Sequence, residues 1–259
     1  NDWVRYSERA IVDLMASMER FGAYRYFYNP FTTWLHAVFR LSTKEPSRAA
    51  DLLRKIVVFD NNRNSQVVDD LIFAEQIANG NRGESRVWLI HEDGIGPRLE
   101  QILFQYPIPT EYGSVAVSVA VPHLLSGISA YGKLEIYSDG YVSATEPILD
   151  VNRYIATEFQ AGYQALMIRS VISAGIRTLV QMEVQKNTDK QALFGSLMSA
   201  IVPAVAQEMT QADTRMWRTL PNSIGVASFS RPANGKLRII ANSIKIADII
   251  LPEGEFVLV

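Results

Sequence analysis

The chain has 259 residues, 48% hydrophobic and 20% charged, which suits one large domain or two ordinary ones and excludes disorder as a description of the whole. A net charge of −2 and the absence of any long basic run exclude a global field that would steer it to nucleic acid or anionic lipid. The lack of cysteine excludes disulfides, thiolate metal sites and cysteine nucleophiles.

The first eighty residues read as helices. Ile11, Leu14, Met15, Met18 and Phe21 repeat at helical spacing. Asn29–Pro30 then supplies an N-cap followed by proline at the first helical position, opening a helix through Phe31, Trp34, Val38 and Leu41. Glu45-Pro46-Ser47 breaks the pattern, and Ala49, Leu52, Leu53 and Ile56 carry the next helix. After a polar turn at 60–64, Val67, Val68, Leu71, Ala74 and Ile77 carry another. The unit from about residue 30 to 62 has the length and grammar of a TPR-like helical repeat. Fewer than about three repeats cannot bury a continuous core, so either more lie upstream or these helices pack on the rest of the chain. The aromatic group Tyr24, Tyr26, Phe27, Tyr28, Phe31 and Trp34 is expected to be core or a partner-binding face.

From residue 86 the apolar period becomes two. Strands are predicted at 87–91, 99–108, 115–121, 133–137 and 141–145, the last two joined by a Ser-Asp-Gly turn. Two long helices follow, over 150–186 and from Thr188 to about 211. The chain closes with strands at 225–229, 237–241, 244–251 and 256–259. The expected class is therefore α+β. A helical module over 1–84 would precede an α+β domain over 85–259 with a largely antiparallel sheet and two long helices. The uncharged run 191–207 spans roughly 25 Å as a helix, short of a hydrocarbon core of about 30 Å, and reads as a buried or partner-facing helix.

Two stretches could carry chemistry. In 88–98 (WLIHEDGIGPR), His91, Glu92 and Asp93 precede Gly94 and Gly96, and Arg98 follows. Neighbouring strand residues face opposite ways, so turn chemistry explains the glycines and Asp93 better than catalysis. In 212–221 (ADTRMWRTLP), Asp213, Arg215 and Trp217 share a face if the segment is extended. That arrangement permits an Asp–Arg pair beside an indole, either locking the chain or forming a recognition spot. Asp93, Arg98, Asp213, Arg215 and Trp217 are thus the candidate binding residues, with no catalytic residue among them. The three histidines, His36, His91 and His123, lack metal-ligand spacing; His36 is expected to pack beside Trp34 and Leu35. No nucleophile elbow or phosphate loop is present, so no metal or cofactor is expected.

NPFTTWL at 29–35, WLIHEDGIGPRLE at 88–100, ATEF at 156–159 and ADTRMWRTLP at 212–221 occur in an order that resembles a family of bacterial envelope proteins. These are mostly Gram-negative, with TPR-like helical N-termini and often a lipoprotein signal. The resemblance spans roughly residues 25–259, departing at His91, where relatives often carry an aromatic residue. It implies an exported, periplasmic protein, held at the membrane only through a lipidated cysteine upstream of Asn1; the opening Asn1-Asp2-Trp3 fits a processed or trimmed chain. Members encoded near lipoprotein activators of penicillin-binding proteins connect the family with cell-wall synthesis, and it supplies no catalytic residues to carry over. The expected function is a non-enzymatic envelope scaffold or adaptor, binding other envelope proteins or itself and no nucleic acid. The alternatives are a structural subunit of a large envelope assembly and a carboxylate-dependent glycan hydrolase built on Glu92, Asp93 and Asp213.

Overall fold

A computed structural model describes residues 28–61, 63–110, 113–163 and 212–259. The three helices predicted between residues 30 and 78 are present. Helix α1 is Pro30–Ser42, with the Asn29 side chain accepting from the Thr32 N–H at 3.0 Å. Helix α2 is Pro46–Phe59, opened by proline at its first turn. Helix α3 is Ser65–Ala78, where Asn64 accepts from the Val67 N–H at 3.0 Å. Residues 151–163 are again helical (α4). No described helix is long and apolar enough to cross a membrane.

Ten strands are described: β1 (Arg86–Asp93), β2 (Arg98–Thr110), β3 (Gly113–Leu125), β4 (Glu135–Ser138), β5 (Tyr141–Ala144), β6 (Glu146–Asp150), β7 (Ser223–Ser230), β8 (Lys236–Ala241), β9 (Ile244–Ile250) and β10 (Phe256–Leu258). They form sheets of order β10-β1-β7-β6 and β5-β4-β8-β9, and the hairpin β2-β3. Pairing is antiparallel except for β1 with β10. The class is α+β. The turns of the β4–β5 and β8–β9 hairpins hold Asp139, Gly140, Asn242 and Ser243 at positive φ, the type I′ geometry that an Asp-Gly turn forecasts.

The described residues fall into two compact units. Of the described residues, those within 28–97, 127–154 and 218–259 make up the sandwich unit, and those within 98–126, 155–163 and 212–217 the hairpin unit. In the sandwich unit the two four-stranded sheets close on a shared core. Val87, Leu89, Ala227, Phe229 and Val257 from one meet Leu134, Ile136, Leu237, Ile239 and Ala241 from the other. Fully burying each of the larger side chains is worth about 1.5–3 kcal/mol. Strand alternation turns Trp88 and Ser228 to the opposite face, where the helices lie: α3 packs on β7 and α1 on β6. Helices α1 and α3 therefore pack against this sheet, and α2 packs against both of them.

Strand β6 was not expected from the sequence, which carries Pro147 and no period-two pattern there. It is an edge strand with a register shift between Pro147 and Leu149, where a proline is tolerated. Its Glu146 carboxylate accepts from the Ser65 N–H and hydroxyl, both at 2.6 Å, at the positive end of α3. In the hairpin unit, Leu124 and Ala156 are buried together with Leu99, Ile155, Phe159 and Met216 around them. The Tyr163 ring packs 4.9 Å from Phe159, and burial pushes its hydroxyl up to about 12. The first helix expected over 3–21, most of the two long helices and the uncharged run 191–207 lie outside the described residues.

Candidate functional site

The stretches 88–98 and 212–221 meet in the sandwich unit through backbone. The Gly96 N–H donates to the Leu220 carbonyl at 2.7 Å, and the Asn222 N–H to the Asp93 carbonyl at 2.7 Å. Ile95 and Ile128 exchange two backbone hydrogen bonds, at 2.9 and 2.8 Å. The Asn152 amide donates to Asn222 Oδ1 at 2.7 Å, while its oxygen accepts from the Gly127 N–H at 2.6 Å. Glycine is required where these segments touch: a Cβ at Gly94, which has φ +69°, would stand 2.0 Å from the Ile128 carbonyl oxygen.

Asp93 fastens this knot. Its carboxylate is 1% exposed and accepts from the Ser129 hydroxyl at 2.5 Å and from the Ala130 and Tyr131 N–H groups at 3.1 and 2.8 Å. Burial opposes its ionisation, but the Ser129 hydroxyl and the surrounding backbone N–H groups outweigh it and hold the carboxyl below its ordinary value. His91 shares its face, with Nε2 3.9 Å from Asp93 Oδ1; burial pushes the imidazole down from its ordinary value, against the pull of Asp93. Glu92 points to the exposed side of β1. Because Asp93 is depressed, its stabilising contribution is complete above the unfolded carboxyl value near 3.9 and is lost as pH falls through the folded value. Thermal melts should therefore show wild type ahead of Asp93→Asn at pH 7 and the gap narrowing below about pH 4. A gap constant across that range would mean the carboxylate charge contributes nothing.

In the hairpin unit, Arg215 grips Asp213 with two hydrogen bonds, Nε to Oδ1 at 2.9 Å and Nη2 to Oδ2 at 2.7 Å, and its own N–H adds a third at 3.1 Å. The Arg215 hydrogen bonds hold the Asp213 carboxyl at about 2. Trp217 is 72% exposed. The predicted Asp–Arg pair thus forms, and the indole stands in solvent. Arg98 lies exposed on β2 in a pair with Glu100 at 3.1 Å. His36, expected to pack, is exposed and accepts from Arg40 Nε at 3.0 Å.

Sequence reasoning missed a second buried, heavily bonded carboxylate of the sandwich unit. Asp70 of α3 is fully buried and accepts from Trp34 Nε1 at 2.8 Å, Trp88 Nε1 at 2.9 Å, Arg86 Nε at 3.1 Å and the Ser228 hydroxyl. Burial pushes its carboxyl up, with Arg86, Ser228 and the two indoles pulling the other way. Arg86 lies over the Phe73 ring at 4.5 Å. Trp34, placed in a core-or-partner aromatic group, is core; Phe31 packs 6.2 Å from it and Tyr28 4.6 Å from Phe59.

Comparison with protein-family models, with curated proteins and with solved structures gives no match.

Proposed function

We propose that the chain is a non-enzymatic scaffold or adaptor of a Gram-negative cell envelope, joining other envelope proteins or copies of itself. The observation that carries this reading is the exposed Trp217 next to an arginine already fixed in place. Trp and Arg dominate binding hot spots, and a side chain held in one conformation before binding loses less entropy on contact. The buried carboxylates support it from the other side. Asp70 and Asp93 have their acceptor capacity taken up by structural donors, and a glycan hydrolase built on Glu92 and Asp93 would have them on opposite faces of one strand. Helices α1, α2 and α3 stack in chain order, an arrangement in keeping with a TPR-like module. Placement in the periplasm, an upstream lipid anchor and a link to cell-wall synthesis rest on the motif resemblance.

Crosslinking in intact cells, comparing wild type with Arg215→Ala/Trp217→Ala, tests the reading. Both side chains are exposed, so stability should change by no more than about 0.5 kcal/mol. The expected result is a stoichiometric set of envelope partners captured by wild type and lost in the folded variant; their stoichiometry separates an adaptor from a subunit of a large assembly. Equal capture by both proteins would remove this surface from the proposal.

A further inference from the structure

The outer face of the β5-β4-β8-β9 sheet carries an open groove of about 730 Å3 that the adaptor reading does not use. Clefts that hold small ligands run from about 300 to 1,000 Å3. Strand register sets its floor: Val142 lies opposite Tyr137, Tyr137 opposite Arg238, Arg238 opposite Asp248 and Lys236 opposite Ile250. Tyr137, Val142 and Ile250 are exposed to 38, 53 and 80%, unusual apolar surface for a sheet face. Between them Arg238 Nε donates to Asp248 at 3.2 Å, and at one end Asn234 ties itself to Asp139. A second depression, of about 440 Å3, lies along α3, β1 and β7 and takes in Gln76, Ser85 and Ser230. Tyr141, 64% exposed, borders both, so the two depressions adjoin at the β4–β5 hairpin.

The charges along the two depressions select a ligand class. Lys236 and Arg238 are matched by Asp139 and Asp248 in the first groove. Arg82 and Arg86 are matched by Asp69 and Glu84 in the second, with Asp70 behind Arg86. There is no excess of positive charge, which phosphate backbones and anionic lipid surfaces require. A strand-adding peptide needs unpaired backbone at a sheet edge, whereas this groove runs across the face of all four strands, over the interior β4 and β8 as well as the edge strands β5 and β9, so a ligand lying in it meets side chains rather than an open ladder. The ligand that fits is neutral, dense in hydrogen-bonding groups and apolar on its flat faces. We propose that the two grooves form a binding path for a neutral oligosaccharide. The Tyr137 and Tyr141 rings serve as platforms for the C–H faces of sugar rings, and the Arg238–Asp248 pair and Asn234 meet the hydroxyls.

The test is calorimetric titration of the whole chain with cellohexaose, maltohexaose and chitohexaose, with a heparin hexasaccharide as the anionic probe and an extended decapeptide as the peptide probe. At least one neutral hexasaccharide is expected to bind with Kd at or below about 1 mM, and Tyr137→Ala and Tyr141→Ala are each expected to weaken it about tenfold. Tyr141→Phe, which keeps the ring, should bind as wild type does. Absence of neutral-sugar binding at about 10 mM, tighter binding of heparin or the peptide, or affinities unchanged in both alanine variants would overturn the proposal.

Discussion

Asp70→Ala is expected to lower the melting temperature by roughly 6–20 °C. The loss of one partner from a buried charge pair costs about 3–5 kcal/mol, and for a chain of this size each kcal/mol shifts the midpoint by about 2–4 °C. The cause is what remains behind. Two indole N–H groups, the Arg86 guanidinium and the Ser228 hydroxyl would face an apolar void instead of the carboxylate. Asp70→Asn keeps one acceptor oxygen and should fall between alanine and wild type. A calorimetric scan of the three proteins decides it. A midpoint for Asp70→Ala within about 2 °C of wild type would show that the carboxylate is not the tie between α3 and the sheet.

Gly94→Ala should be comparably damaging for a different reason. The new Cβ would sit 2.0 Å from the Ile128 carbonyl oxygen, against backbone that has no rotamer to retreat into, and φ at +69° strains any residue with a side chain. The two costs together amount to about 3 kcal/mol or more, and the Ile95–Ile128 bonds are the ones displaced. Gly140→Ala is the control, since it also has positive φ but nothing within 4 Å of the added Cβ; it should lose only the conformational part, about 1 kcal/mol. Equal losses in chemical denaturation of the two variants would falsify the close-approach account.

These two positions differ in how far sequence alone could lead to them. Gly94 was legible as turn chemistry, because Asp-Gly followed by Gly-Pro is a local signal. The cap at Asn29 was local as well, and so α1 begins where the sequence places it, while the polar turn at 60–64 marked the break before α3. The role of Asp70 was not read, since its partners lie 16 to 158 residues away. A clue did exist. Asp70 sits on the same stripe as Val67, Phe73 and Ala74, and a lone charge on a buried helical face needs donors to satisfy it. Strand pairing was beyond reach for a related reason: period-two alternation marks a strand without naming its neighbour, and β1 pairs with β7 more than a hundred residues later. The candidate binding residues divide along the same line. Asp213 and Arg215 are two apart and their pair could be anticipated, whereas the groove around Tyr137 exists only once four strands from two distant segments lie side by side.

The knot at Gly94, Gly96, Gly127, Asn152 and Asn222 also bears on how this architecture can change. Segment 98–126 leaves the sandwich unit after Pro97 and returns at Gly127, next to the reciprocal Ile95–Ile128 bonds. The later excursion is closed in the same way, with the Val151 N–H bonded to the Asn222 carbonyl at 3.1 Å. Each excursion is stapled at its base, so its length adds little to the entropy of closing the sandwich; doubling a loop costs only about 0.6 kcal/mol. Both are sites where segments can be lengthened, exchanged or grafted while the two sheets and their helices stay as they are. Evolution, or an engineer, could redesign what the sandwich unit displays without redesigning the sandwich.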